Sequence, residues 1–130
     1  MNPEYFQTQF ICSLAIDEIP AHAFIITASN PMDQRLSYKE NEQRNKKLER
    51  KIRESSAICL PIIGASKDLV HREQSFLTDA SKEQALLWGK EFNQRAIFEI
   101  KKDLLFIIPC IQNNLEELEI GSFYERWVST

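Results

Sequence analysis

The stretch FIITASNP, Phe24 to Pro31, constrains the fold more than any other part of this chain. An apolar run from Ala23 to Ile26 leads straight into Thr27, Ala28, Ser29, Asn30 and Pro31. That pattern reads as a buried strand over Ala23–Ala28 ending in a polar turn, because asparagine and proline supply turn chemistry and the residue before a proline is pushed out of the helical region. The near-continuous apolar run implies burial on both faces of the sheet. A charged helix is predicted next, over Ser37–Ser55. Ser37 and Glu40 have the spacing of a capping box, and Glu42–Lys46 and Glu49–Arg53 are four apart, where opposite charges support a helix from outside. Strand end, polar turn and helix start together make a natural place for a binding site.

The remaining elements follow from the same kind of pattern. Phe10 to Ile16 is predicted as a first strand. Ala57 to Ile63 is a further apolar run closed by Gly64, and its Pro61 favours an edge strand or an irregularity. Gln74 to Thr78 reads as a short strand. Asp79 and Ser81 are candidate N-caps of a helix reaching about Phe92, with Ala85, Trp88 and Phe92 at helical spacing. Gly89 inside that helix costs about 1 kcal/mol relative to alanine, which close packing on the sheet would justify. Asn93 suits a left-handed helix cap. Ala96–Ile100 and Leu104–Pro109 read as a hairpin around Lys101, Lys102 and Asp103. The tail from Asn113 reads as a short helix with Leu115, Leu118, Phe123 and Trp127 turned inward. The expected fold is therefore α+β: a single domain over residues 1–130, built as a two-layer sandwich with a mainly antiparallel sheet covered by two helices. The element order is compatible with a ferredoxin-like sandwich and with other α/β sandwiches.

Charge and cysteine usage narrow the function classes. Sixteen basic residues against nineteen acidic give a net charge of −3, so whole-protein charge offers no argument for nucleic acid. No apolar run reaches the roughly 18 residues of a membrane helix. MNPEYFQTQF lacks a basic segment followed by an apolar one, so no signal peptide is expected. Cys12, Cys59 and Cys110 each lie in an apolar stretch and are odd in number, which points to buried free thiols and a cytoplasmic location. No CxxC pair occurs, and His22 and His71 stand far apart, so neither a metal site nor a cofactor is expected.

The charged helix carries an anomaly. Leu48 and Ile52 form its apolar face, but stepping back by three or four residues lands on Asn45 or Arg44, then Asn41. The stripe that should meet the core is polar in its first half, and an unpaired buried polar group costs roughly 1–3 kcal/mol. One reading is a structural network tying turn to helix. The functional reading is a polar pocket of Asn30, Asn41 and Arg44, in which the helix N-terminus and a forked arginine would hold an anion. Alternation along the strand would place Glu73 and Ser75 on one face and Phe76 on the other, and Gln94, after the second helix, would either project toward the same cleft or pair with an exposed backbone edge. The expected ligand-binding residues are thus Asn30, Asn41, Arg44, Ser75 and Gln94, with Glu73 as the candidate catalytic acid or base. The first function expected is a ligand-binding or protein-interaction module, regulatory in character, whose partner is a small anion or another protein. The alternative is a small hydrolase or transferase using Glu73. A third reading is nucleic-acid binding through the helix cations Lys39, Arg44, Lys46, Lys47, Arg50, Lys51 and Arg53.

FIITASNP, Leu36-Ser37, Asn41, Arg44, Leu48, Gly64, Glu73-x-Ser75-Phe76, Ala85, Phe92 and Gln94-x-Ala96 together resemble the bacterial family catalogued as domain of unknown function 3293. The likeness runs from about Tyr5 to Phe106. The family pattern usually has an aromatic residue where Ser29 stands, tryptophan near His71 and glycine where Asn93 stands. The resemblance implies a small bacterial cytosolic domain and supplies no reaction.

Overall fold

The computed structural model describes residues 3–110 and 117–129. Ten elements carry the fold: β1 (Gln9–Cys12), β2 (His22–Thr27), α1 (Tyr38–Glu54), β3 (Leu60–Ala65), β4 (Arg72–Thr78), α2 (Lys82–Glu91), β5 (Ala96–Lys101), β6 (Leu104–Pro109), β7 (Leu118–Ser122) and β8 (Trp127–Ser129). Ser37 caps α1, its Oγ accepting the Glu40 N–H at 3.1 Å and donating to Glu40 Oε1 at 2.9 Å. The box thus forms with glutamate on the hydroxyl. Ser81 caps α2 by accepting the Gln84 N–H at 3.2 Å, whereas Asp79 accepts the Ile58 N–H and so ties α2's entry to the start of β3. Asn93 adopts φ 57, the left-handed conformation expected after a helix end.

The eight strands form one sheet in the order β7-β6-β5-β2-β4-β3-β1-β8. Every neighbouring pair is antiparallel except β1–β8, which is parallel. Both helices lie on one face, where Phe24, Ile26, Phe76 and Ile97 meet Leu48 and Ile52 of α1 and Ala85 and Trp88 of α2. The other face wraps a second core of Phe10, Ile25, Leu77, Ile100, Leu105 and Phe123. Two cores explain the unbroken apolar run of β2, which feeds both.

This sheet is larger than the two-layer sandwich expected, and it curls. Its edges, β7 and β8, are joined only by residues 123–126. Five residue steps span at most about 18 Å, whereas seven flat strand spacings would separate the edges by roughly 33 Å. The sheet must therefore bend back on itself at that end. Arg126 fastens the bend. One guanidinium nitrogen donates to the Phe6 and Thr8 carbonyls at 2.9 and 3.0 Å, and the other to the Ile120 carbonyl of β7 at 2.7 Å. Asp103, in the β5–β6 turn, accepts from the Ser122 hydroxyl at 2.6 Å and the Tyr124 N–H at 2.8 Å.

Three further expectations are corrected. The tail is not helical where it is described: it forms β7, a 3-10 turn and β8, because Phe123 and Trp127 pack into the sheet's second core rather than along one helix stripe. Asn113 and Leu115 lie outside the described residues. The first strand stops at Cys12, well short of Ile16. Pro61 does not sit on an edge strand, since β3 lies between β4 and β1. β1 covers only Ile63 to Ala65, however, so the missing Pro61 N–H faces no partner strand on that side.

Gly89 is fixed by space. A Cβ there would stand 2.6 Å from Cys110 Sγ and 3.0 Å from Ile97 Cγ2. Gly89→Ala is expected to destabilise by about 1–3 kcal/mol through overpacking, against its gain in helix propensity. A denaturation midpoint equal to or above wild type would show that α2 does not press on β5 and β6. All three cysteines are free and buried. Burial pushes the Cys110 thiol up to about 12 and raises Cys59 as well, as suits inert packing groups.

Candidate functional site

On the face away from the helices, large side chains fill one end of the curled sheet and small ones the other. Toward the end of β2, Thr27 stands opposite Ser75, and Gly64 opposite Glu73. With Ala96 of β5, these short side chains leave a cavity of about 380 Å³. Its floor is apolar, made by Phe10, Ile25 and Phe98. Its rim comes from Tyr5 and Thr8 before β1, Asp33 and Arg35 after β2, and the β3–β4 turn with Ser66, Val70 and His71. The volume lies at the small end of ligand pockets, which run from about 300 to 1,000 Å³.

The polar wall is assembled around Asn30. Its Nδ2 donates to Glu73 Oε2 at 3.0 Å, and its Oδ1 accepts from Asn41 Nδ2 and the Leu36 N–H, both at 2.9 Å. Asn41 Oδ1 in turn accepts the Asn30 N–H at 2.9 Å. Deeper in, Asn45 accepts the Ala28 N–H through Oδ1 and donates to Ser29 Oγ through Nδ2, both at 2.8 Å. Gln94 spends its amide N–H groups on the Ser29 and Phe92 carbonyls. The turn is strained: Asn30, Met32 and Asp33 have φ of 47, 52 and 62, a region non-glycine residues visit rarely. It is held from outside by the Met32 N–H on the Asn93 carbonyl at 2.8 Å, by Arg95 Nε on Asp33 Oδ2 at 2.9 Å and by the Tyr5 hydroxyl on Asp33 Oδ1 at 3.1 Å. Burial, and then the Asp33 carboxylate, raise the Tyr5 phenol above its ordinary value, so it remains a donor.

Of the residues expected at the site, Asn30, Glu73, Ser75 and Gln94 line the cavity. Asn41 stands behind Asn30 and touches the cavity only through it. Arg44 is not part of the lining. Its Nε donates to the Ala28 carbonyl at 2.6 Å, another nitrogen donates to the Phe92 carbonyl, and its guanidinium lies over the Phe92 ring. A long side chain beside Asn45 reaches the Ala28 and Phe92 carbonyls, so its charge serves backbone rather than ligand. Glu73 Oε2 also lies 3.4 Å from His71 Nε2. Its Oε1 makes no hydrogen bond among the described residues. The reading of the residues missed Thr27, Gly64, Arg35, Tyr5 and Phe98. Gly64 carried a signal, since a glycine inside a strand marks close approach to something else.

The cations of α1 are in part neutralised locally. Lys46 pairs with Glu42, Arg53 with Glu49 and Lys51 with Glu91. Among the described residues, no group of three or more His, Cys, Asp and Glu is placed to hold a metal ion, and no helix is long and apolar enough to cross a membrane. The model of the family described as Protein of unknown function (DUF3293) matches residues 26–97, from β2 through the start of β5. Comparison with curated proteins and with solved structures finds no match.

Proposed function

The chain belongs to the DUF3293 family of proteins of unknown function, and we propose that it binds a small polar molecule in the cavity at the open end of its curled sheet, acting as a ligand-binding module. One observation carries this reading: an apolar floor meets a wall of fixed polar groups of which Glu73 retains an oxygen with no hydrogen-bond partner among the described residues. A structural network would be expected to close on itself. Here Asn41 and Asn45 close the inner part, and Asn30 on the strained turn orients Glu73 at the cavity.

Gly64 provides the test. A Cβ built there meets Ser75 Oγ at 3.6 Å and nothing closer, which is ordinary contact. Gly64→Ala is expected to leave stability unchanged or raise it by about 0.4–1 kcal/mol through the unfolded chain. Gly64→Val narrows the cavity further. A thermal-shift screen of small polar metabolites should find compounds that stabilise the wild type according to RT ln(1 + [L]/Kd), with the shift reduced in Gly64→Ala and abolished in Gly64→Val. Compounds that shift all three proteins equally would place binding elsewhere.

A second reading, turnover of the bound molecule, is favoured by the His71–Glu73 pair, because Glu73 can fix the imidazole tautomer and leave Nδ1 as a base. Incubation of a stabilising compound with the protein, followed by NMR, separates the two: a binder returns the compound intact.

A further inference from the structure

We infer that the cavity takes a small zwitterion, a free α-amino acid with an apolar side chain, its ammonium on Glu73 and its carboxylate on Arg35. This rests on the proposal that the cavity binds a small molecule. The charges that line the cavity fall into two groups. Asp33 is committed to Arg95 and the Tyr5 hydroxyl. Asp68 is committed to the Ser66 hydroxyl at 2.6 Å and the Val70 N–H at 3.1 Å. Arg35 and Glu73 remain, the latter with His71 Nε2 3.4 Å from its Oε2. Arg35 makes no ion pair or hydrogen bond among the described residues, and Glu73 keeps Oε1 open. One uncommitted cation and one uncommitted carboxylate oxygen lining the same cavity call for a ligand carrying one charge of each sign.

The two arms differ in strength. Glu73 is 26% exposed and is oriented by Asn30 at 3.0 Å, so an ammonium there makes a charge-assisted hydrogen bond in a shielded place. Gln94 adds a second acceptor, because its Nε2 is spent on backbone carbonyls while its Oε1 carries no hydrogen bond among the described residues. Both acceptors suit a group with three donors. Arg35 is exposed, so its contact with a carboxylate is screened and contributes less. The floor of Phe10, Ile25 and Phe98 then receives an aliphatic or aromatic side chain. A plain anion would meet Glu73 unfavourably.

Titration calorimetry with four probes tests this: L-leucine, L-phenylalanine, N-acetyl-L-phenylalanine, which lacks the ammonium, and phenethylamine, which lacks the carboxylate. One or both amino acids should bind. Acetylation, or Glu73→Gln, should weaken binding about tenfold or more, as loss of a charge-assisted hydrogen bond does. Removal of the carboxylate, or Arg35→Gln, should weaken it a few-fold, and phenethylamine should lose no further affinity to Arg35→Gln. Equal binding of N-acetyl-L-phenylalanine and L-phenylalanine, or indifference to Glu73→Gln, overturns the inference. If neither amino acid binds while another compound binds in a manner abolished by Gly64→Val, the zwitterion inference falls and the cavity proposal stands. If no compound shows dependence on Gly64, both fall.

Discussion

Replacing Phe123 with alanine is expected to cost about 3–5 kcal/mol, a large part of the 5–15 kcal/mol typical of a domain. Phe123 is fully buried and packs against Phe10 at 5.4 Å and, edge-on, against Trp127 at 5.7 Å between ring centroids. It stands in the short link between the two sheet edges, so its ring holds both ends of the bend in one place. The backbone repeats the attachment, since the Phe123 N–H donates to the Asp103 carbonyl at 2.7 Å. The loss should show in chemical denaturation as a lower midpoint with unchanged slope. Amide exchange should rise first in β7 and β8 and last in β2 and β4, since local opening follows loss of buried contacts. A loss below about 1 kcal/mol, the mean for point mutants generally, would mean that the tail does not close the sheet.

Asn45→Ala is the second large effect expected. Asn45 is 4% exposed and lies in the stripe of α1 that continues as Leu48 and Ile52. Its amide pairs the Ala28 N–H and the Ser29 hydroxyl, and both residues are buried. Truncation leaves two buried groups without these partners, each costing about 1–3 kcal/mol, so a loss of roughly 2–6 kcal/mol is expected. Asn41→Ala should cost less, because Asn41 is only half-buried and water can replace it. Affinity at the cavity should nevertheless fall in Asn41→Ala, which frees Asn30 and hence Glu73 to turn. Equal stability losses in the two variants would contradict the division between an inner structural rung and an outer orienting one.

Much of the middle of this fold was legible in the residues. Both helices, their serine caps and strands β2 to β6 follow from periodicity, turn chemistry and breakers, because these elements are long and locally consistent. β7 and β8 were not legible: LEIGS and WVS are short and carry little alternation, and β8 is a strand only because β1, far away in sequence, pairs with it. The candidate cavity was half legible. Asn30, Glu73, Ser75 and Gln94 of the expected residues line it, because polar residues beside apolar runs stand out in the sequence. Arg44 was misplaced because adjacent helix residues diverge by about 100°, so Asn45 faces the core while Arg44 wraps to neighbouring carbonyls. The cavity was expected between turn and helix, whereas Ile25 and Thr27 turn it to the opposite side of the sheet. Curvature of that sheet follows from which edges the chain joins, and no local pattern encodes it.

The Arg126 bonds to the Phe6 and Thr8 carbonyls link positions 120 and 118 residues apart. Such long-range closure makes the slowest contribution to folding, since its entropy cost precedes its reward. During synthesis β1 emerges well before β8, and it must wait for that strand to arrive. Tyr5, Thr8 and Phe10 line the cavity, and β1 is paired on its outer side by β8. Closure of the cavity thereby depends on β8: a molecule in which that strand had not docked would keep its helix-covered core yet lack support for β1 and the residues before it.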